Sequence, residues 1–326
     1  MTTPAVAAVR RNFPHAHISI LVVPWVADVF RCNPHVDDVI LYRRNDIHQG
    51  LKGKWKLMNE LKQRSFDLAI LLQNAFEAAL IAMGARIPRR AGYNTDGRGL
   101  LLTHPVKMRR EYKRIHETQY YLTMLRGLGL EAPDAPLLLD APPEYEENVR
   151  TELEAMNGAG IPLVALAPGA TYGSAKMWPA ARYGQLAERI AGELNARLVV
   201  LGSEKERAIG EEILGWVTSG PVRNLCGSTD LLTAVAWIKQ AALFISNDSG
   251  LMHVAAALAR PQVAIFGSTD RVTTSPKNPH ARLVYHDVSC APCLKTKCPT
   301  DHRCMEMVTV DEVFEAACEV LKKGRI

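Results

Sequence analysis

The stretch ALFISNDSGLMHVAAALARP, residues 242–261, joins a short apolar run to an alanine-rich one through Asn-Asp-Ser-Gly. Ala242 to Ser246 is apolar and partly aromatic, which reads as a buried strand, whereas LMHVAAALA is helix-forming. A strand–turn–helix junction gathers the unpaired N–H groups and the positive dipole end of the helix, and so suits an anion. Asp248 or Ser249 can instead do no more than cap that helix. If the junction belongs to a parallel sheet, ligands gather at the carboxyl ends of its strands, and the loops to compare are those that follow the other strands.

Outward from this junction the same rhythm repeats. Strands are expected at 163–168 (LVALAP), 196–202 (ARLVVLG), near 222–227, at 262–267 (QVAIFG) and at 281–286 (ARLVYH), with helices between them. The first half alternates likewise: a helix around Ala5 to Arg11, then strands at 17–23, 36–42 and 66–73. A Pro-rich stretch at 131–147 (EAPDAPLLLDAPPEYEE) reads as a linker. The expectation is an α/β protein of two Rossmann-like parallel-sheet domains, 1–140 and 141–326, with a cleft between them.

Two further loops of the second half carry chemistry. PGATYGSAKMWP (168–179) offers small residues, hydroxyls and Lys176 for phosphate, but it lacks the Gly-Lys-Ser/Thr spacing of a P-loop. GSEKE (202–206) places Glu204 just past a strand end, where it suits ribose hydroxyls or simply complements a helix start. No G-x-G-x-x-G follows a strand, which disfavours a dinucleotide dehydrogenase.

The formal net charge of +5 is unevenly spread: the first 150 residues hold the whole surplus, and between Arg86 and Arg114 nine basic residues face two acidic ones. That points to an anionic partner. The segment has few aromatics to stack bases and no nucleic-acid module; a phosphorylated small or lipid-linked acceptor fits as well as nucleic acid, and a merely solvated basic face stays open beside both. No apolar run reaches the length of a membrane span and no secretory signal opens the chain, so a cytoplasmic protein is expected. Cys290, Cys293, Cys298 and Cys304 cluster near His286 and His302, a spacing that admits a structural zinc or a reduced loop. A zinc-dependent module that engages nucleic acid or protein through these cysteines and the basic segment is the rival reading.

PGATYGSAKMWP, together with SNDSGLMHVAAALARPQVAIFGSTD and with AFEAALIAMGARIPRRAGYNTDGRG in the first half, resembles the lipopolysaccharide heptosyltransferases, the inverting glycosyltransferases of family nine. The resemblance spans essentially the whole chain. It implies the GT-B fold, with nucleotide-sugar on the second domain and acceptor on the first. Carried over by residue, it makes Lys176 and His253 catalytic and Thr171 a phosphate contact. It puts Glu204 and Thr229 at the nucleoside, and sets Asp248, Ser249 and Gly250 against the diphosphate and sugar. Arg89, Arg90 and Arg98 are the expected acceptor-binding residues.

The implied reaction moves heptose from ADP-L-glycero-D-manno-heptose to the inner-core heptose of a lipid A precursor, with another nucleotide-sugar as the alternative donor. The enzyme would sit at the cytoplasmic face of the inner membrane. No D-x-D motif is present, so departure of the diphosphate is expected to rely on protein groups and to need no cofactor. Family members place an S/N-x-x-G-D loop and its strand ahead of a segment like M-T-T-P-A-V, and the Asp of that loop is the expected general base. Met1 falls just after it, so the first domain is expected to lack that strand and carboxylate.

Overall fold

The computed structural model describes residues 1–156 and 160–323. The chain divides into two units, Met1–Pro136 and Leu137–Ile326. The division falls a few residues ahead of the expected 140/141 boundary. Leu139 and Ala141 already pack on the second unit's core, and Lys239 holds Asp140 at 2.7 Å.

In the first unit β1 (Ser19–Val22) and β2 (Asp38–Leu41) form one parallel pair, and β3 (Leu68–Leu71), β4 (Arg89–Tyr93) and β5 (His104–Val106) a second parallel sheet. Three of these strands fall where the sequence places them. β4 and β5 lie inside the basic segment and were not expected there. The helices Thr3–Asn12 and Glu117–Gly127 pack through Ala5, Ala8 and Leu125 on Tyr93 of β4. The helices Gly50–Gln63 and Phe76–Gly84 meet through Leu57, Leu61 and Ile81 beside Ile40 of β2.

The second unit is a six-stranded sheet of β6 (Leu163–Ala167), β7 (Arg197–Val200), β8 (Val222–Asn224), β9 (Leu243–Asn247), β10 (Gln262–Ile265) and β11 (Ala281–Val284), in the order β11-β10-β9-β6-β7-β8. Every pairing is parallel. Buried strands need helices on both faces, and side chains alternate to serve them. On β6, Val164 and Leu166 join Leu186, Ile190, Ile213 and Ala317 on one side, while Leu163, Ala165 and Ala167 join Val149, Val235 and Ile238 on the other. The chain runs from β6 outward to β8, then crosses back to lay β9 against the other edge of β6. The strand order therefore reverses between β6 and β9, which makes their carboxyl ends the crevice where such sheets bind ligands.

Asn247, the last residue of β9, ties this crevice together. It is fully buried; its amide donates to Pro168 O at 2.5 Å, and its Oδ1 accepts from Trp178 N and Tyr183 Oη, each at 3.1 Å. Trp178 is anchored in turn by Nε1 to Val308 O at 2.9 Å and by an edge-on contact with Tyr183. Asn247→Ala leaves two buried donors and one acceptor unpaired, each costing about 1–3 kcal/mol. The expected loss of unfolding free energy in urea is therefore about 3 kcal/mol or more, and a loss below about 1 kcal/mol would contradict this role.

Candidate active site

Lys176 closes a short 3-10 turn, Ser174–Lys176, in the loop after β6. Its Nζ lies 2.9 Å from Asp248 Oδ2 in the loop after β9, so one ion pair bridges the reversal point of the sheet. The side chains are 14% and 4% exposed, and the ammonium also sits 4.9 Å from the centre of the Tyr172 ring. Thr274 Oγ1 donates to the same carboxylate oxygen at 3.4 Å. An ammonium has three donors, so one bond to Asp248 leaves others for an anion.

Ser249 is the N-cap of the helix Gly250–Ala257, yet no side-chain hydrogen bond caps that helix. The capping reading thus fails for both residues: Asp248 turns to Lys176, and Ser249 Oγ is buried without a hydrogen-bond partner among the described residues. Ser268 Oγ and Thr269 Oγ1, just past the end of β10, share that condition. Buried hydroxyls are ordinarily paired. Ser249 at the uncapped helix start next to Asp248, with two more such hydroxyls past the end of the neighbouring strand, forms an edge fitted to a polyanion. His253 lies three residues beyond Gly250, on the same helical face and half-buried. Thr171 is exposed on the Lys176 loop.

Further along the sheet edge, Glu204 is exposed and paired with Arg207 at 2.8 Å, and hydrogen bonding from that guanidinium holds its carboxyl below the usual range. The helix-start role falls to Glu206, which closes a capping box with Ser203. Glu206 also fills the space against Gly169, where a Cβ would meet Oε1 at 1.6 Å, so the β6 and β7 loops fit together only with glycine there. Gly227 lies against Glu204, which brings the turn holding Thr229 to the same end of the sheet. Neighbouring strands lie about 4.8 Å apart, so Glu204 after β7 stands two spacings, roughly 10 Å, from the β9 loop. The sequence reading passed over Tyr172, Thr274, Ser268, Thr269 and Glu206; the hydroxyl-rich GSTD after the 262–267 strand was the signal for two of them.

The cysteine-rich segment clasps the Lys176 loop. Ala175 N donates to Thr296 O at 3.1 Å, Tyr172 Oη donates to Leu294 O at 2.9 Å, and His302 Nε2 meets Ala175 O at 3.0 Å. Gly173, at φ +153, abuts the Thr296 carbonyl so closely that a Cβ would lie 2.1 Å from its oxygen. The four expected zinc ligands lie in this segment, with Cys290, Cys293 and Cys298 near enough to raise the Cys304 thiol beyond the larger effect of its burial. Among the described residues no group of three His, Cys, Asp or Glu side chains is arranged to hold a metal. Cys304 is buried against Gly267, Cys290 is exposed, Cys298 lies beside Thr300, and the nearby histidines are committed to Ala175 O and Glu312.

Of the three expected acceptor arginines, Arg98 and Arg90 are committed to partners within the first unit. Arg98 is fully buried, and its guanidinium donates to Tyr93 O at 2.8 Å, to Asn74 Oδ1 at 3.1 Å and to Gln73 O, so it braces the ends of β3 and β4. Arg90 donates to Leu101 O at 2.7 Å and Ile87 O at 2.6 Å. Of the three, Arg89 alone is exposed.

Two parallel-sheet α/β units, the second with a lysine and an uncapped helix start at the reversal point of its sheet, have the architecture of the GT-B glycosyltransferases. The chain belongs to glycosyltransferase family 9 (heptosyltransferase), whose family model matches residues 54–303. It is 32% identical over 292 residues to lipopolysaccharide heptosyltransferase 2 of Salmonella typhimurium, covering 86% of this chain and 83% of that one. It is 28% identical over 333 residues to lipooligosaccharide heptosyltransferase 2 of Campylobacter jejuni, covering 100% of this chain and 95% of that one. Among solved structures, that of E. coli ADP-heptose LPS heptosyltransferase II superposes with a TM-score of 0.84 at 26% identity, covering 100% of this chain and 95% of that one.

Thiol reactivity tests the cysteine assignment. Burial raises the thiols of Cys226, to about 12, and of Cys304 and Cys318, whereas hydrogen bonding with Thr300 lowers that of Cys298. Iodoacetamide at pH 8 is expected to modify Cys298 ahead of those three by mass spectrometry. Joint protection of Cys290, Cys293, Cys298 and Cys304 that a chelator lifts would restore the metal site.

Proposed function

We propose that this glycosyltransferase moves L-glycero-D-manno-heptose from its ADP donor to the inner-core heptose of a lipid A precursor, with inversion. The observation that carries the reading is the Lys176 ammonium, held by Asp248 beside an uncapped helix N-terminus at the reversal point of the sheet. The names of the relatives supply the sugar and the acceptor.

In this reading the donor diphosphate lies against Lys176, the N–H groups from Gly250 onward and the hydroxyls of Thr171 and Ser249. Glu204 receives the ribose hydroxyls, with Thr229 beside it. The acceptor hydroxyl attacks the anomeric carbon from the face opposite the diphosphate, its proton passing to a general base as the new C–O bond forms, and the bond to the β-phosphate breaks with its electron pair going to the departing ADP. Positive charge develops on the sugar ring and negative charge on the departing phosphate. The second is the charge that this edge is placed to meet. A fixed ammonium and a fixed helix dipole meet it without reorganisation. His253, one turn along, reaches the same side of the phosphate. The acceptor is lipid-linked, so the enzyme works at the cytoplasmic face of the inner membrane. It needs no resident metal, and nucleic acid is not a partner.

Lys176→Ala is expected to lower kcat with ADP-heptose by about 10²–10³, the scale set by removing one stabiliser of a developing anion. Turnover is expected to survive EDTA. Calorimetry is expected to show tighter binding of ADP than of UDP. Unchanged kinetics in the variant would remove Lys176 from the mechanism, and preference for UDP would overturn the donor.

A further inference from the structure

The outer face of the helix Gly50–Gln63 departs from ordinary patterning. Gly53, Leu57 and Leu61 form its buried side. Four residues apart and therefore on one face, Leu51 and Trp55 are 86% and 68% exposed. A surface helix normally gives that face to polar side chains. Two more large apolar side chains stand in solvent: Ile47 in the loop before the helix and Trp25 in the turn after β1.

These pieces are locked together. Arg44 stacks 5.5 Å over the Trp25 ring, linking the two loops. His48 is buried, accepts from Arg43 N at 3.1 Å and reaches Glu60 on the helix at 3.1 Å, which pins the 43–48 loop to the helix. The exposed apolar side chains are therefore presented by an ordered scaffold.

Charge surrounds them. Residues 43–64 contain seven Lys and Arg against Asp46 and Glu60. Lys54 and Arg64 are engaged by Glu77 and Asp38. Lys52, Lys56 and Lys62 have no ion pair among the described residues, and Lys52 and Lys56 directly follow Leu51 and Trp55. A second copy of such a face would meet it with like charge. Exposed Trp and Leu among unpaired lysines instead match the boundary of an anionic bilayer, where indole rings sit at headgroup depth and each lysine gains from the surface potential.

We propose that this face docks the enzyme on an anionic membrane, with Leu51 and Trp55 entering the headgroup layer and Lys52, Lys56 and Lys62 against lipid phosphates. The proposal deepens the reading that the acceptor is lipid-linked and rests on it: it names the surface through which the enzyme meets that acceptor's membrane.

The test is sedimentation of the full chain with vesicles of phosphatidylcholine alone and of phosphatidylcholine mixed with phosphatidylglycerol, alongside turnover of a delipidated, water-soluble acceptor. The parent protein should bind the anionic vesicles, and less so as salt rises. Leu51→Ser/Trp55→Ser and Lys52→Glu/Lys56→Glu should each weaken binding about tenfold or more, with circular dichroism and turnover of the soluble acceptor unchanged. Equal vesicle binding by parent and variants would overturn this face while leaving membrane contact in place. No vesicle binding by the parent protein would overturn both, with heptosyl transfer judged separately by the soluble acceptor. Conversion of a dimer to a monomer by the Leu51/Trp55 variant, with vesicle binding unaltered, would assign the face to a second copy.

Discussion

The ion pair between Lys176 and Asp248 is the interaction on which the site depends, because it joins the two loops that flank the point where the strand order reverses. Withdrawing both charges from water is costly, and the pair is worthwhile only if its geometry is fixed and its remaining bonding capacity is met. The first condition holds here, and a bound anion would meet the second. Asp248 stands at the positive end of the Gly250–Ala257 helix and accepts from Thr274, and Lys176 is steadied by the Tyr172 ring. The carboxylate fixes the ammonium in place without using all of its donors. The outcome is a cation largely withdrawn from water and held in a fixed orientation, with donors left for an anion.

What fixes the geometry lies one layer further in. Asn247 spends both ends of its amide on the β6 loop and on the Trp178–Tyr183 pair, so the loops after β6 and β9 hold one another in register. From the other side the cysteine-rich segment holds Tyr172 and Ala175 through backbone and hydroxyl contacts. The clasp itself is made by backbone carbonyls, at Leu294 and Thr296.

The sequence carried much of this in its periodicities. The apolar strand ending in Asn-Asp-Ser-Gly, the helix that follows it and the lysine loop after 163–168 all sit where pattern and turn chemistry put them, and their meeting follows from a parallel sheet. Other features depended on facts that no local pattern holds. β4 opens on Arg89 and Arg90 and β5 contains Pro105, so neither offers an apolar run; their place comes from pairing with β3. Arg98 reads as surface charge in any window, and only tertiary contact shows it saturated by carbonyls. Ser268 and Thr269 became relevant once β10 was seen to lie beside β9. The four cysteines have suggestive spacing, but no window shows that Cys304, in the helical turn Arg303–Glu306, packs with Met305 on the core.

The central claim is that the diphosphate of the donor rests on the Lys176 ammonium and the start of the Gly250–Ala257 helix. A crystal structure with ADP tests it most directly. The account predicts phosphate oxygens within about 3 Å of Lys176 Nζ and of backbone N–H groups at the start of that helix. Phosphates bound away from both, with the Lys176–Asp248 pair undisturbed, would contradict it.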